Sequence, residues 1–381
     1  MSKICIIGAG MFGMDLAVSL AAIGHAVTVY EKRNFFLEGT TAQSLLRIHS
    51  GFHYPRDFET ANQSSTSYPI FFKRYKNFIH SAFPNYYAIA RVGSKTSTDQ
   101  FEKFIKQLGY PYIRQKNQYK MQSFFASSKF TSIYQVKEGV LDINGIKRFF
   151  KDICQNLKID IFFNREITDL NYNPKNNKWK ITSNALNKDL KSHYCSSFQA
   201  QQFDFVIDAT HSQGNFYHNL GKKLTTEFQI VHMVNFKCQT SNFGLTVLDG
   251  NFITVLPFLD SQKNLMSVYS PEYSVKLRHI GISAPSEWLS SNNLGEFFSV
   301  AKTNKNLINL LKSWIPGISP IEIISTKTGI RSIEANVQAT DRRTSQVFEI
   351  EKNFFKINST KIDHCVQTTE QILHLIGQAK I

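Results

Sequence analysis

The amino-acid sequence predicts an α/β fold, α+β overall, in which a domain with a parallel sheet is interleaved with a second domain on a mixed or antiparallel sheet. Three observations predict this class. The first is a strand–turn–helix–strand pattern in residues 3–33, and the second is a helix followed by several strands in residues 138–215. The third is an alternation of apolar and polar residues from Phe228 to Tyr273, which is typical of antiparallel strands.

Length and composition indicate a globular protein. The 381 residues are enough for two domains, and 42% hydrophobic with 13% aromatic residues is far from the composition of disordered chains. No apolar run approaches the length of about 18 residues that a membrane span needs. The five cysteines are odd in number, widely spaced and without a CxxC pair, which predicts neither disulfides nor a metal site and favours the cytoplasm. They are Cys5, Cys154, Cys195, Cys238 and Cys365.

The formal net charge of +15 is compatible with nucleic acid, an anionic membrane surface or an anionic substrate as partner. The Lys and Arg residues are scattered along the chain without the runs that mark a nucleic-acid arm. A solvated basic surface and a small-molecule substrate are therefore favoured over nucleic-acid binding. Nothing in the composition indicates an oligomeric state.

The N-terminal pattern predicts a dinucleotide site. A strand over Ile4–Ile7 precedes the glycines 8, 10 and 13, a helix runs over Met14–Ile23, and a second strand runs over Ala26–Tyr30. In a Rossmann-like unit the first glycine makes the tight turn, the second lets the backbone approach a pyrophosphate, and the third lets helix and strand pack closely. The start of the helix offers free N–H groups to that pyrophosphate.

Glu31 ends the second strand, where a carboxylate accepts hydrogen bonds from ribose hydroxyls. Glycines at this spacing are weak evidence alone, because they also occur in ordinary turns. In this sequence they follow a predicted strand, begin a predicted helix, and are accompanied by an acidic residue, Glu31, at the end of the next strand. The acid also disfavours a 2′-phosphate, so FAD or NAD is expected rather than NADP.

Three later stretches carry further signals. The segment after the second strand is "TTAQSLLRIHSGFHYP" (40–55), and the middle of the chain has a helix from about Ile143, a strand over Ile159–Phe163 and a buried strand in "FDFVIDATHSQGN" (203–215). Near the C-terminus, "KTGIRSIEANVQATDRRTSQ" (327–346) is followed by an apolar strand over Phe354–Ile357 and the turn 358–361. Ser359 or Thr360 is placed to cap a last helix that runs to Ile376.

In this order of elements the chain resembles the FAD-dependent oxidoreductases of the D-amino-acid oxidase type. That family includes glycine and sarcosine oxidases, L-2-hydroxyglutarate dehydrogenase and flavin-linked glycerol-3-phosphate dehydrogenases. The resemblance extends in patches over nearly the whole chain and implies FAD, bound non-covalently. The turn 358–361 departs from the family, because many relatives have Ser-Gly-Lys where this chain has Ser-Thr-Lys.

The resemblance implies two sets of cofactor contacts. In the N-terminal part these are Gly8, Gly10, Phe12, Gly13, Glu31, Lys32, Ser44, Arg47, His49 and Gly51. In the later part they are Ala209, Thr210, Gly329, Arg331, Thr360 and Lys361. Gly51 is expected to let the backbone lie close to the flavin ring.

Oxidation at a C–N or C–O bond also needs a proton acceptor and a charge that holds the substrate. His49, Tyr54 and Arg331 are the predicted catalytic residues, with His49 as base or orienting group and Arg331 as a clamp for carboxylate or phosphate. The predicted substrate contacts are His53, Arg56, Arg331 and Arg342. On an extended segment His49 and His53 would lie on one side and Tyr54 on the other. His211 and His232 are expected to be structural.

The expected FAD-binding domain comprises residues 1–80, 138–225 and 325–381, and the substrate-binding or cap domain comprises residues 81–137 and 226–324. The predicted function is oxidation of a small, anionic amine, amino acid or hydroxy acid by hydride transfer to flavin. Two alternatives stay open at this point. One is a flavoenzyme with a larger substrate, such as a tRNA-linked aminomethyl group or a nucleotide-linked sugar, and the other is a non-catalytic flavin-binding subunit of a dehydrogenase complex.

Overall fold

The structure is a computed structural model, and it describes residues 1–115, 124–186, 201–211, 225–239, 242–259 and 265–378. The chain divides into two compact units. Unit 1 comprises Met1–Ala42, Gly145–Thr225 and Ser345–Ile381, and unit 2 comprises Gln43–Asn144 and Thr226–Thr344. Cys195 and the end of the 203–215 stretch lie outside the described residues. The mixed α/β class expected from the sequence is confirmed.

The strands, numbered along the chain, are β1 Lys3–Ile7, β2 Ala26–Tyr30, β3 Arg47–Ile48, β4 Ile79–His80, β5 Asn85–Ala90, β6 Tyr112–Arg114, β7 Phe130–Val136, β8 Gly139–Leu141, β9 Asp160–Phe162, β10 Arg165–Asn173, β11 Lys178–Ala185, β12 Gln201–Phe203, β13 Phe205–Asp208, β14 Thr226–Lys237, β15 Gly244–Leu248, β16 Thr254–Pro257, β17 Leu265–Tyr269, β18 Val275–Gly281, β19 Glu322–Glu334, β20 Gln346–Glu351 and β21 Phe354–Asn358.

The α-helices are α1 Met11–Ala22, α2 Phe58–Tyr75, α3 Thr98–Leu108, α4 Ile143–Asn156, α5 Pro271–Ser274, α6 Ser286–Ser290, α7 Val300–Trp314 and α8 Cys365–Gln378. Short 3-10 segments occupy Lys76–Phe78, Ser127–Lys129, Leu294–Phe297 and Ile362–His364. None of these described helices is long and apolar enough to cross a membrane.

Unit 1 is built on a sheet whose described strands follow the order β20-β21-β13-β1-β2-β9. All neighbouring pairs are parallel except β20 with β21. The central strand β1 is an apolar run with Ile4, Cys5 and Ile6 fully buried, as expected for a parallel strand that is covered on both faces. The second sheet, β10-β11-β12, is antiparallel and buries Trp179 against Phe354.

Unit 2 is built on a larger sheet, whose described strands run β18-β14-β17-β16-β15-β5-β7-β6, with β19 also paired to β14. Strand β14 pairs antiparallel with β19 along its whole length, with β18 along its first half and with β17 along its second half. Trp314 of α7 stacks on Phe130 of β7, so helix α7 covers one face of this sheet. The expected sheet of antiparallel strands after residue 226 is present.

Residues 294–314 form a 3-10 segment and then α7, because Phe298 is extended and Ser299 caps α7 by accepting a hydrogen bond from the Lys302 N–H. One local expectation differs from the structure. The last α-helix begins at Cys365 rather than directly after Thr360, since a 3-10 segment intervenes. The compact units are not the expected FAD-binding and substrate-binding domains, whose bounds stay a prediction. The short strands β3 and β4 both pair with β8, and β19 pairs with β14. These pairings place residues 43–80, 138–144 and 325–344 in unit 2.

Candidate active site

The glycine loop of unit 1 has the geometry that a dinucleotide needs. Gly8 has φ +104°, and a Cβ there would lie 3.0 Å from the Ala209 carbonyl oxygen. A Cβ on Gly13 would lie 2.0 Å from the Gly8 oxygen, so only glycine lets the helix approach this turn. Around Gly10 the nearest atom is Thr41 Oγ1 at 3.8 Å, so packing does not require this glycine and its backbone is open to a ligand.

Helix α1 begins directly after this loop. Gly10 is its N-cap residue and supplies no side-chain cap, and Phe12 in the first turn is buried. At the end of β2, the Glu31 carboxylate accepts hydrogen bonds from the N–H groups of Ala9 at 2.7 Å and Arg33 at 2.8 Å. The carboxylate therefore lies beside the glycine loop. Burial lowers the pKa of the neighbouring Lys32, and the negative charges of Glu166 and Glu31 partly offset this decrease.

The carboxyl end of β13 carries Ala209 and Thr210. Asp208 is fully buried, and its Oδ1 accepts hydrogen bonds from the Thr210 N–H and hydroxyl while its Oδ2 lies 2.8 Å from Lys356 Nζ. The buried ion pair of Asp208 and Lys356 thus stabilises the turn at Ala209, which lies against Gly8. His211 follows it with Nδ1 2.8 Å from Ser359 Oγ.

The turn before α8 is held by hydroxyl groups. Thr360 Oγ1 lies 2.8 Å from Ser345 Oγ, and the Thr360 N–H donates to that same oxygen at 3.0 Å. Ser345 Oγ is also 3.1 Å from Nδ1 of the fully buried His364. Burial, with Lys361 nearby, lowers the pKa of His364 to about 3, so this imidazole is neutral. Lys361 is extended and provides no side-chain cap to the following 3-10 segment.

In unit 2, residues 43–57 form what we term the His49 segment. One end is held by Arg47, which donates from Nε and Nη2 to Glu138 and from Nη1 to Thr246, with its guanidinium 4.7 Å from the Tyr87 ring centroid. Glu138 also accepts from the N–H and hydroxyl of Ser50. This arginine, expected at the cofactor, is thus buried in an ion pair.

The other end of the His49 segment is held by Arg56. Its Nε donates to Asp249 Oδ2 at 2.5 Å, and its Nη1 donates to the Ala339 carbonyl. Asp249 also accepts from the Thr96 hydroxyl at 2.8 Å. Arg56, expected at the substrate, therefore joins two loops of unit 2.

Between these clamps the segment folds back on itself rather than running extended. The ring of His49 lies 5.5 Å from that of His53 and 5.9 Å from that of Tyr54, and the latter two are 5.0 Å apart. The expectation that Tyr54 points away from the histidines is wrong, because Gly51 has φ +100° and reverses the chain. A Cβ on Gly51 would lie 2.5 Å from the Ala61 carbonyl oxygen of α2, so packing within unit 2 alone requires glycine at this position.

Strand β19 places Lys327, Gly329 and Arg331 on one face, since alternate residues of a strand share a side. Gly329 and Arg331 are predicted site residues. Arg331 donates from Nε to Gln229 Oε1 at 2.8 Å and from Nη2 to the Tyr269 hydroxyl at 2.9 Å. A Cβ on Gly329 would lie 2.6 Å from the side chain of Gln43. Lys327 donates to the Ser44 carbonyl at 3.3 Å and lies 4.2 Å from the Phe258 ring centroid. This face of β19 therefore meets the start of the His49 segment.

The remaining predicted residues and histidines have protein partners. Arg342 forms ion pairs with Glu59 and Glu334, and Arg343 pairs with Asp341. His232 lies 2.8 Å from both Thr328 Oγ1 and Asn304 Oδ1, and burial lowers its pKa.

Sequence reasoning missed Gln229 and Tyr269, which contact Arg331, and the carboxylates Glu138 and Asp249, which hold the His49 segment. One signal was available for Gln229. In the strand-like run "TEFQIVHMVNF", Glu227 and Gln229 are two positions apart, which puts both on one face of a strand. No comparable pattern marks Glu138 or Asp249.

Residues 3–336 match the sequence family described as FAD dependent oxidoreductase, the DAO family. Because this match covers most of the chain, the protein belongs to that family. Membership assigns it FAD as cofactor and oxidoreduction as its class of chemistry. The resemblance inferred from the glycine loop, the His49 segment and the C-terminal block is confirmed.

Solved structures share the fold over nearly the full length. Glycine oxidase from Geobacillus kaustophilus gives a TM-score of 0.73 at 11% identity, covering 99% of this chain and 95% of that one. L-Proline dehydrogenase from P. horikoshii gives 0.72 at 14% identity, covering 99% and 94%. L-α-Glycerophosphate oxidase from Mycoplasma pneumoniae, solved with FAD bound, gives 0.73 at 14% identity, covering 99% and 95%. At these identities the likeness establishes the fold alone.

Curated relatives match over shorter stretches. An FAD-dependent monooxygenase of Fusarium mangiferae is 27% identical over 107 residues, which are 28% of this chain and 29% of the relative. An FAD-dependent monooxygenase of Aspergillus flavus is 29% identical over 77 residues, which are 20% of this chain and 18% of the relative. The chain thus covers less than a third of the length of these relatives.

The residues of unit 1 fit the dinucleotide part of FAD. Gly13 is required by packing, Gly10 leaves its backbone open, and Glu31 lies beside the loop with a carboxylate suited to ribose hydroxyls. The start of α1 supplies N–H groups and a positive dipole end for a pyrophosphate.

Proposed function

We propose that the protein oxidises a C–N or C–O bond of a small anionic metabolite, an amine, amino acid or hydroxy acid, with unit 1 binding FAD and unit 2 binding the substrate. When bound, FAD supplies the acceptor for a hydride from the substrate carbon. The chain's own residues must hold the anionic group of the substrate and remove a proton from its nitrogen or oxygen.

The observation that carries this proposal is that the described hydrogen-bond partners of Arg331 are neutral. Its guanidinium is half-buried and bonded to a neutral amide and a phenol, and no carboxylate of the described residues lies within 4.0 Å of it. Arg47 and Arg56 differ, since each is paired with a carboxylate. A planar guanidinium with remaining N–H donors is suited to bind a carboxylate or phosphate.

His49 is the proposed proton acceptor or orienting group. Its imidazole is buried, at 7% exposure, and lies in a group of rings with His53 and Tyr54. The Arg47 and Arg56 ion pairs hold the segment on both sides of it, which keeps the ring in one position. Tyr54 and His53 are proposed to contact the substrate from the same group of rings.

FAD is proposed to bind without a covalent link. The described cysteines 5, 154, 238 and 365 are all buried, with exposures of 0 to 4%. Burial raises the pKa of the Cys5 thiol and raises that of Cys154 to about 12. Buried, protonated thiols do not attack a cofactor readily.

The test is a turnover screen of the holoprotein with an artificial electron acceptor. The panel contains amino acids, N-alkyl glycines, hydroxy acids and sugar amines, and each acid is paired with its neutral amide. We expect turnover of at least one acid and a much higher KM for the matching amide. Equal turnover of acids and amides would contradict an anionic substrate, and turnover of sugar amines alone would favour a larger substrate.

A further inference from the structure

Gln229 lies at the centre of a row of charges on one face of the large sheet in unit 2. In the strand register it is directly opposite Arg278 of β18 on one side and Arg331 of β19 on the other. Residues that are directly opposite across a ladder project to the same face. Glu227, two positions earlier on β14, shares that face.

Hydrogen bonds connect this row into a chain. Gln229 Oε1 accepts from Arg331 Nε at 2.8 Å, and Gln229 Nε2 donates to Glu227 Oε1 at 2.6 Å. The amide orientation follows from its neighbours, because a guanidinium only donates and a carboxylate only accepts. Gln229 is 1% exposed, so this orientation is also protected from water.

The chain separates two charges. Glu227 is compensated by Arg278, whose Nη1 lies 2.5 Å from Glu227 Oε1. Burial alone would raise the pKa of Glu227, but the hydrogen bonds from Gln229 and Arg278 lower it below its ordinary value. Among the described residues, the hydrogen-bond acceptors of the Arg331 guanidinium are neutral, namely the Gln229 carbonyl and the Tyr269 hydroxyl. The amide therefore orients Arg331 without neutralising it.

We infer that Gln229 is a positioning and specificity-determining residue: as a neutral amide between Glu227 and Arg331, it orients the Arg331 guanidinium and leaves its positive charge for an anionic group of the substrate. This inference rests on the proposed function of Arg331. A carboxylate at position 229 would pair with Arg331, and an anionic ligand would then meet a neutral pair.

The test compares Gln229→Glu with Gln338→Glu in FAD-loaded protein. Gln338 is exposed, and its Nε2 donates to Glu227 Oε2 at 3.3 Å, so its variant adds the same charge to the same cluster without touching Arg331. The probes are glycolate and its neutral amide, glycolamide, and the Kd of each is measured by titration calorimetry. A purely structural defect would weaken both probes, whereas a charge effect weakens glycolate only.

We expect Gln229→Glu to raise the Kd of glycolate at least about tenfold, since hydrogen bonds to charged groups typically contribute more than that factor. The Kd of glycolamide should stay within about threefold, and Gln338→Glu should resemble the wild type. An unchanged ratio of the two Kd values in Gln229→Glu, or an equal change in both variants, would overturn the inference. If the wild type binds neither probe and oxidises no acid, the proposed function fails instead.

A second variant covers the case in which Gln229→Glu does not fold. Gln229→Met removes the amide at similar size and adds no charge. It should reduce the preference for glycolate over glycolamide without abolishing it, because Arg331 keeps its charge but loses its orienting partner. A preference equal to that of the wild type would overturn the positioning role.

Discussion

At the scale of single residues, arginines that look alike in the sequence differ in the structure by their partners. Arg47 and Arg56 belong to the segment that was expected to face cofactor and substrate, but each is bound to a carboxylate. Arg331 was assigned the same kind of role and is bound to Gln229 and Tyr269 instead. A protein carboxylate next to an arginine offsets the positive charge that an anionic ligand would otherwise meet.

Replacing Arg331 by methionine should raise the KM for the anionic substrate by at least about tenfold, because a charge-assisted hydrogen bond typically contributes about 1.5 to 3 kcal/mol. The KM is measured on FAD-saturated protein, because Arg331 is also an expected cofactor contact. Steady-state kinetics with the substrate and its neutral amide measure the effect. Arg114→Met is the control, since the Arg114 side chain is 49% exposed where it pairs with Glu102. A KM unchanged in Arg331→Met would remove this residue from substrate binding.

Replacing Gly13 by alanine should destabilise unit 1 and reduce FAD content, because the new Cβ would lie 2.0 Å from the Gly8 oxygen. Overpacking of this kind typically costs about 1 to 3 kcal/mol. The measurements are the flavin-to-protein ratio and the urea midpoint. Gly39→Ala is the matched control, because nothing lies within 4 Å of a Cβ there. Full FAD content in Gly13→Ala would contradict the loop geometry.

His364 predicts a pH dependence of stability. Its pKa is lowered to about 3 by burial, while an unfolded histidine titrates near 6.5. Below pH of about 6.5 the unfolded chain therefore takes up a proton that the folded chain does not, and the free energy of unfolding falls by up to about 1.4 kcal/mol per pH unit. The decline should continue towards pH 3 and be shallower in His364→Gln. Urea unfolding between pH 4 and 7 measures it, and identical slopes would contradict the assignment.

At the scale of elements, the His49 segment is held at both ends by ion pairs to distant parts of unit 2. Glu138 is the centre of the first clamp, where its side chain is completely buried and meets Arg47, Ser50, Asn85 and Tyr87. The segment itself has little regular structure, since only Arg47–Ile48 is a strand before α2. Its shape therefore depends on these side-chain contacts.

Replacing Glu138 by glutamine should lower the free energy of unfolding by about 3 to 5 kcal/mol, because it leaves the buried Arg47 charge without its counter-ion. Urea unfolding measures this loss. Glu59→Gln is the control, as its carboxylate is 60% exposed where it pairs with Arg342, and this pair should contribute no more than about 1 kcal/mol. A loss in Glu138→Gln as small as that of the control would show that the clamp is dispensable.

Local elements were predictable from the sequence to the extent that their signals are local. Strand β2 was expected over Ala26–Tyr30 and is found there, and α4 begins at Ile143 as expected, since apolar periodicity marks such elements. The partners of charged side chains were not predictable. Arg47 meets Glu138 across 91 positions and Arg56 meets Asp249 across 193, and only tertiary folding brings these pairs together. For the same reason the contact between Arg331 and Gln229, 102 positions apart, was missed.

At the scale of the whole molecule, the match of residues 3–336 to the DAO family identifies the family, although sequence identity to the solved structures is low. Both units are discontinuous in sequence, because the chain leaves unit 1 after Ala42 and returns to it at Gly145 and Ser345. The expected division into FAD-binding and substrate-binding domains, which is also discontinuous, stays a prediction. Family membership fixes the cofactor, while the substrate depends on individual side chains such as Arg331 and Gln229.

The most direct measurement of the central claim is anaerobic mixing of the FAD-loaded protein with a small amino or hydroxy acid that the screen has selected. The visible absorption of the bound flavin should bleach with the acid and remain unchanged with the matching amide at the same concentration. Bleaching by no acid of the panel, in a protein that carries FAD, would contradict the account and leave a flavoenzyme with a larger substrate or a non-catalytic flavin-binding subunit.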